Sequence, residues 1–194
     1  MQAVLILVMA YLLGSIPSGL WIGKWLYHTD LRKEGSHNTG ATNAYRILGA
    51  RAAILVFTAD FMKGFLAVSL GIPNSEMMVG CAACAVIGHM WSIFMGFHGG
   101  RGVATGVGVF TCLSPIAALA AFIVWAVIVA WKRIVSLASI VASTVPPLMV
   151  WWRGEPWEYA VFGALGSIFV IAKHRENIVR LWHGEEPQIQ RGKK

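Results

Sequence analysis

Long uninterrupted stretches of apolar residues constrain this chain more than any other feature. The runs Val4–Trp25, Ala52–Leu70 and Pro115–Trp131 approach or reach the roughly 20 residues that a helix needs to span hydrocarbon. Their apolar positions are continuous rather than alternating, which favours helices over a β-barrel. Only 13% of the residues are charged, whereas soluble domains carry about 25%. The sequence therefore predicts an all-α integral membrane protein.

The apolar stretches divide the chain into about seven predicted membrane helices, some of them short. Their approximate bounds are 3–26, 52–71, 77–95, 102–113, 115–132, 137–152 and 157–173. Five spans, with the weak segments re-entrant, would also satisfy the charge distribution, but seven is preferred. Pro17 is expected to kink the first helix. We expect one polytopic bundle over 1–194, with a flexible tail over 184–194.

The net charge of +7 is distributed unevenly between alternate connections. Basic residues flank the loop after the first segment, the turn before the fourth, the loop after the fifth and the C-terminus, while the other connections hold a single basic residue. The positive-inside rule then predicts an outside N-terminus and a cytoplasmic C-terminus. Charge spread over membrane-proximal loops suits anionic lipid headgroups better than nucleic acid.

Three polar segments, 35–43, 96–105 and 173–180, would share the cytoplasmic side. They are rich in amides, hydroxyls, glycines and cations, which are the groups that hold phosphate. In the first segment, binding is favoured for the cluster as a whole, whereas Asn38 and Thr39 taken alone suit a turn that bonds its own backbone. This cluster comprises Ser36, Asn38, Thr39, Thr42, Asn43 and Arg46.

The second segment places Gly99-Gly100-Arg101-Gly102 just before an apolar helix. Glycines let backbone N–H groups approach an anion at a helix N-terminus. A tight re-entry turn that needs glycine only for helix crossing explains the pattern equally well. No Walker A or dinucleotide fingerprint is present.

The third segment puts His174 and Asn177 on one helix face. Ser136 is a plausible N-cap of another helix, and Ser139, one turn further, is expected to face a polar cavity. Asp60 and Lys63, three residues apart in an apolar run, predict a structural ion pair rather than catalysis. No metal site is expected, because His89, His98 and His174 lack carboxylate or thiolate companions at ligand spacing.

Five motifs together resemble the bacterial acyl-phosphate-dependent glycerol-3-phosphate acyltransferases. They are GSIPSG at 14–19, GSHNTGATN at 35–43, DFMKG at 60–64, GHMWSIFMGFHGGRGVATGVG at 88–108 and HRENIVRLWHGEE at 174–186. The resemblance places the family's functional polar positions on Ser36, Arg46, Arg101, Ser139, His174 and Asn177. This chain departs from the family pattern in three places: His37 stands where glycine is typical, and His98 and Arg101 stand where lysine is typical.

The resemblance implies transfer of an acyl group from acyl phosphate to the 1-hydroxyl of glycerol 3-phosphate, giving lysophosphatidic acid and phosphate. We expect His174, Asn177 and Ser36 to act in catalysis, and the general base to be His174 or a substrate phosphate oxygen. The expected phosphate-binding residues are Arg46, Arg101, Gly99, Gly100, Gly102, Ser139, Asn38, Thr42 and Asn43. The segments would have to converge on one pocket.

No cofactor is expected. The expected partners are the two substrates and membrane lipids, with no nucleic acid, and the expected state is a monomer in the cytoplasmic membrane. A small anion or phosphate transporter is the alternative from another class, since broken helices and glycine turns also build transport sites. No internal repeat supports it. A diverged acyltransferase with another acceptor is the second alternative.

Overall fold

A computed structural model of the chain describes residues 1–189, and apart from one isolated bridge the regular secondary structure of that part is helical. It contains eleven α-helices and one short 3-10 helix, Ile93–Met95. The helices are α1 (Gln2–Ser15), α2 (Ser18–Tyr27), α3 (Ala41–Leu48), α4 (Ala50–Ser69), α5 (Ser75–Met90), α6 (Val103–Leu113), α7 (Pro115–Lys132), α8 (Val135–Ser143), α9 (Val145–Trp152), α10 (Trp157–Lys173) and α11 (Arg175–Trp182). The predicted all-α class is confirmed.

Each of the seven predicted apolar segments is helical. Three helical stretches are long and apolar enough to cross a membrane, namely Ala50–Ser69, Pro115–Lys132 and Val135–Trp152. The bent pair α1 and α2 passes the same test as a fourth span. Many large apolar side chains on these helices face outward, among them Leu5 at 60% and Leu119 at 58% exposure, as lipid-facing surfaces require. The count of seven spans stays a prediction.

The helices group into an N-terminal unit, Met1–Leu113, and a C-terminal unit, Ser114–Lys194. In the N-terminal unit, α1 packs on α5 and α4 packs on α6. Small residues allow this close approach: a Cβ on Gly14 would lie 2.2 Å from the Ala85 carbonyl oxygen, and one on Gly64 would lie 2.3 Å from that of Thr105. Cys81 packs as a small buried residue in the same unit.

The first membrane segment is broken between α1 and α2. The two helices bend by 43° at Ile16 and Pro17, because proline has no N–H to continue the helical ladder. The break frees the Ile16 carbonyl, which accepts a hydrogen bond from Lys63 Nζ at 2.8 Å. The predicted kink at Pro17 is confirmed, and it exposes main-chain polar groups inside an apolar region.

In the C-terminal unit, α7 packs against α8 and α9, and α10 packs against α9 and α8. Helix α7 begins with a Ser114 N-cap, which accepts from the Ala117 N–H at 3.4 Å, followed by Pro115 in the first turn. Helix α8 begins differently from the prediction. Its N-cap position is Ile134, so Ser136 is the second residue of the helix and is not its cap.

Candidate functional site

The first polar loop is organised around the side chain of Asn43. This residue is 2% exposed, and its amide oxygen accepts from the Ser36 N–H at 3.0 Å. Its Nδ2 lies 2.9–3.1 Å from three carbonyl oxygens, those of Leu31, Glu34 and Asn38. Both amide hydrogens therefore already have acceptors. In the structure Asn43 therefore holds the loop together, and its binding of phosphate stays a prediction.

Asn38 also bonds its own loop, as its Oδ1 accepts from the Gly40 N–H at 2.8 Å. Asn38 therefore forms the turn that bonds its own backbone, which is the alternative given for it in the sequence analysis. Beyond the loop, Thr42 and Arg46 lie four residues apart on α3 and so share a face. Thr42 is half-buried and Arg46 is exposed. Ser36, half-buried at the start of the same loop, completes the polar side chains of this region.

The glycine-rich turn rests on the end of α5. The Gly100 N–H donates to the His89 carbonyl at 3.1 Å, so this N–H is not among the donors that the turn offers to an anion. Gly102 has φ +83°, a conformation that glycine adopts without strain. Arg101 is half-buried, and α6 begins two residues later. The turn closes with a short bridge between Ser92 and His98.

Asp60 and Lys63 form the predicted ion pair. Their charged atoms lie 2.7 Å apart, and each side chain is 5% exposed. His89 Nδ1 lies 3.8 Å from Asp60 Oδ1 and 3.1 Å from Thr105 Oγ1. A buried charge of either sign is costly unless it is paired, and this group of residues supplies that pairing within the N-terminal unit.

A narrow cleft runs between the break in the first segment and the glycine-rich turn. Its empty volume is about 220 Å³, including the open solvent at its mouth. Polar groups from the first loop, α4 and the turn line it, among them Thr39, Lys63 and Gly100. Ser15 also lines it, and its buried Oγ has no hydrogen-bond partner among residues 1–189. Through Thr39 and Gly100, the first and second polar segments line the same cleft.

In the C-terminal unit, a carboxylate sits among the predicted catalytic groups. Glu186 Oε1 accepts from Asn177 Nδ2 and from Ser136 Oγ, at 2.5 and 2.8 Å. Its Oε2 accepts from Arg180 Nε at 2.7 Å. Burial raises the pKa of Glu186, but these hydrogen bonds outweigh burial and hold the pKa below its ordinary value. Glu186 is 7% exposed and accepts from three side chains, while the flexible tail over 184–194 stays a prediction. Residues 190–194 of that tail lie outside the described part of the chain.

The same carboxylate determines how Asn177 is oriented. Because Nδ2 points to Glu186, the amide oxygen Oδ1 faces the other way. This Oδ1 is buried and has no hydrogen-bond partner within the described chain. A buried amide oxygen without a partner is costly, and it is suited to accept a hydrogen bond from a ligand hydroxyl.

His174 lies at the junction of α10 and α11 and is 2% exposed. Its Nδ1 lies 2.7 Å from the Val170 carbonyl oxygen. A carbonyl can only accept, so Nδ1 carries the hydrogen in this contact, and in the neutral ring Nε2 then has the lone pair. This tautomer is the one a general base needs.

Ser139 is 4% exposed and its Oγ accepts from the indole N–H of Trp125 at 3.3 Å. The hydroxyl hydrogen of Ser139 can still be donated. The sequence predicts no individual site role for Glu186, Thr105 or Ser15. Each of them nevertheless lies inside one of the five motifs that carry the resemblance. No group of three or more potential metal ligands occurs among residues 1–189.

Comparison with known proteins gives concordant results from sequence and structure. The family model described as "Glycerol-3-phosphate acyltransferase" matches residues 4–184. A relative of that name from Synechococcus sp. (strain JA-2-3B'a(2-13)) is 42% identical, covering 97% of this chain and 96% of its own. One from Syntrophomonas wolfei is 41% identical, covering 97% and 98%.

Two crystal structures are also similar to this chain. Both are of PlsY, described as an integral membrane glycerol 3-phosphate acyltransferase. Its glycerol 3-phosphate form superimposes with a TM-score of 0.92 at 42% identity, covering 98% of this chain and 96% of that one. Its lysophosphatidic acid form gives a TM-score of 0.89 at 40% identity, with the same coverage.

Proposed function

The chain belongs to the glycerol-3-phosphate acyltransferase family, and from that premise we propose that it acylates the 1-hydroxyl of glycerol 3-phosphate with acyl phosphate as donor. The products would be lysophosphatidic acid and inorganic phosphate, at an early step of phospholipid synthesis. One observation carries the proposal: near-full-length similarity to a structure described as a glycerol 3-phosphate form. The lysophosphatidic acid form of the same protein supports the product.

The proposed acyl transfer is direct and needs no nucleophile from the protein. The hydroxyl oxygen of glycerol 3-phosphate forms a bond to the acyl carbon, the bond from that carbon to the phosphate oxygen breaks, and phosphate leaves with the electron pair. The enzyme mainly has to orient two anionic substrates and stabilise developing negative charge. The hydroxyl proton has to pass to a base, either His174 or a phosphate oxygen of a substrate.

The N-terminal unit has the cations for phosphate. In the proposed assignment, Arg46 and Arg101 bind phosphate oxygens, because a guanidinium can present two parallel N–H donors to them. The glycine-rich turn, through Gly99 and Gly102, sets the path of the backbone beside Arg101. Ser36 and Thr42 would add hydroxyl donors, Ser36 next to the reacting groups. Asn38 and Asn43 are left with a framework role, because both bond the loop backbone.

The C-terminal unit has the groups for the hydroxyl. In the neutral tautomer described above, Nε2 of His174 accepts the proton. Asn177 Oδ1, buried and without a partner in residues 1–189, accepts a hydrogen bond from a glycerol hydroxyl and orients it. Ser139 would donate its remaining hydrogen to a phosphate oxygen. These roles divide the predicted residues between holding phosphate and activating the acceptor.

The charge distribution supports a topology of seven spans in the cytoplasmic membrane, with the N-terminus outside and the C-terminus inside. In that orientation the polar segments meet the cytoplasm, where both anionic substrates would be presented. The acyl chain would lie between helices, in contact with membrane lipids. The proposed enzyme works as a monomer and needs no cofactor.

The test uses purified full-length protein in lipid, with glycerol 3-phosphate as acceptor. Acyl phosphate, acyl-CoA and acyl carrier protein carrying the same acyl chain are compared as donors, and lysophosphatidic acid is quantified by mass spectrometry. We expect turnover with acyl phosphate only, with release of one phosphate per product. Turnover with acyl-CoA and none with acyl phosphate would refute the donor assignment. Acylation of another acceptor alone would refute the substrate assignment.

A further inference from the structure

The glycine-rich turn is built directly against His89. A Cβ on Gly100 would lie 2.3 Å from His89 Nε2 and 2.9 Å from Cε1, and a Cβ on Gly99 would lie 2.1 Å from the His89 carbonyl oxygen. All three distances are well inside van der Waals contact. These two positions therefore have to be glycine because of a protein neighbour, before any ligand is considered.

His89 is itself held from several sides. Its Nδ1 contacts Thr105 in the first turn of α6, at 3.1 Å, and lies 3.8 Å from Asp60 Oδ1. Asp60 is in turn bound to Lys63 at 2.7 Å, whose ammonium donates to the Ile16 carbonyl at the broken first segment. The ring is thus tied to α4, to α6 and, through the ion pair, to the α1–α2 break.

We propose that His89 is a positioning residue for substrate phosphate: its ring and carbonyl form the support on which Gly99 and Gly100 rest, and it thereby sets the location of Arg101. The inference rests on the proposed function, because it assigns the turn to phosphate binding. It also gives the buried Asp60–Lys63 pair a purpose, which is to hold the His89 ring in place beneath the turn.

The two glycines allow a matched test, because different atoms of His89 would clash with a side chain added at each position. The His89 ring obstructs a side chain at position 100, whereas its main-chain carbonyl obstructs one at position 99. Shortening the ring can therefore relieve Gly100→Ala but not Gly99→Ala. His89→Asn is the chosen relief, because its shorter amide removes the Nε2 and Cε1 atoms and still offers a polar group toward Thr105.

The experiment measures kcat and KM for both substrates in His89→Asn, Gly100→Ala, Gly99→Ala and the two double variants, with thermal unfolding of each. We expect Gly100→Ala to raise the KM for a phosphate substrate by up to about 10²-fold, since a displacement of about 1 Å can have that effect. His89→Asn should restore part of that loss in Gly100→Ala and none of it in Gly99→Ala. His89→Asn alone should raise KM more than it lowers kcat.

Equal impairment by Gly100→Ala in both backgrounds, or an unchanged KM for both substrates in His89→Asn, would overturn the inference. If His89→Asn does not fold, His89→Ala is used in the same pairs. An unaltered enzyme without any turnover would refute the proposed function instead, and the coupling between positions 89 and 100 would then be read from unfolding temperatures. Normal turnover with no coupling refutes this inference alone.

Discussion

Within residues 1–189, each of the two units buries one carboxylate side chain, and the two carboxylates are neutralised in different ways. In the N-terminal unit, Asp60 pairs with Lys63 three residues away on the same helix. In the C-terminal unit, Glu186 takes hydrogen bonds from Ser136, Asn177 and Arg180, fifty, nine and six residues away. The ion-pair partner of the first carboxylate is on its own helix, with His89 of α5 3.8 Å away, whereas all partners of the second are brought to it by the tertiary structure.

This difference matches the proposed division of roles. The Asp60–Lys63 pair lies behind the turn that carries Arg101, the residue proposed to bind substrate phosphate. Glu186 acts on Asn177 directly, because it accepts a hydrogen bond from Nδ2 and so leaves Oδ1 facing the other way, to accept from a hydroxyl. One buried acid therefore supports a site for phosphate, whereas the other orients a group for the acceptor alcohol.

The largest effect expected from this division is a kinetic one. His174→Ala should lower kcat by about 10²–10⁴-fold, the usual contribution of a general base, with little change in the KM values. Arg46→Ala and Arg101→Ala should instead raise the KM of a phosphate substrate. Steady-state kinetics with both substrates varied would check this. Retained kcat in His174→Ala would leave a substrate phosphate oxygen as the base.

Near-normal kinetics in the double variant Arg46→Ala/Arg101→Ala would refute the assignment of phosphate binding to the N-terminal unit. Arg101→Lys is the matched control. It keeps the charge but not the planar fork, so it should recover part of the loss. A lysine variant as impaired as the alanine variant would mean that the bidentate geometry, not the charge, is what matters.

The next effect in size concerns stability of the N-terminal unit. Asp60→Asn leaves the Lys63 ammonium buried without its counter-ion, which should destabilise the protein by about 3–5 kcal/mol. Thermal unfolding in detergent measures it. The control is Glu155→Gln in the C-terminal unit, whose pair with Arg153 is partly exposed, at 21% and 37%, and should contribute about 0–1 kcal/mol. Equal shifts in the two variants would contradict the claim that burial makes the Asp60 pair strong.

How far the sequence predicts these features depends on how local their causes are. The helices follow from apolar runs, the break follows from Pro17, and the Asp60–Lys63 pair follows from a spacing of three. The hydrogen bonds of Glu186 are not predictable in this way, because its partners are brought to it only by the packing of other helices. The carbonyls around the Asn43 amide are not predictable either, because composition does not reveal which main-chain groups surround a side chain.

A smaller effect is expected for Glu186 and depends on pH. Glu186→Gln keeps the shape but removes the charge from three hydrogen bonds, which should destabilise by about 1–3 kcal/mol near neutral pH. The pKa of Glu186 is lowered from its ordinary value of 4.5. Its contribution is therefore complete above pH 4.5 and is lost as pH falls through the folded-state pKa.

The difference in unfolding temperature between the unaltered protein and Glu186→Gln should accordingly shrink as the pH drops below 4.5. Glu185→Gln, at an exposed neighbour, controls for the loss of one carboxylate. A difference that stays constant down to low pH would show that the charge of Glu186 is not what stabilises the C-terminal unit.

The smallest expected effect is on stability, at His37, which stands where glycine is typical of the family. His37 has φ +55°, a left-handed conformation that costs a residue with a side chain roughly 1–2 kcal/mol. His37→Gly removes that strain and adds some unfolded-state entropy, so a net gain of about 0.5–1 kcal/mol is expected. Lys33→Gly, in the same loop at a position without positive φ, should instead lower stability. Thermal unfolding of the two variants compares them directly, and a loss in both would mean that the His37 ring, whose Nδ1 lies 3.1 Å from the Arg32 carbonyl, stabilises the loop more than its conformation strains it.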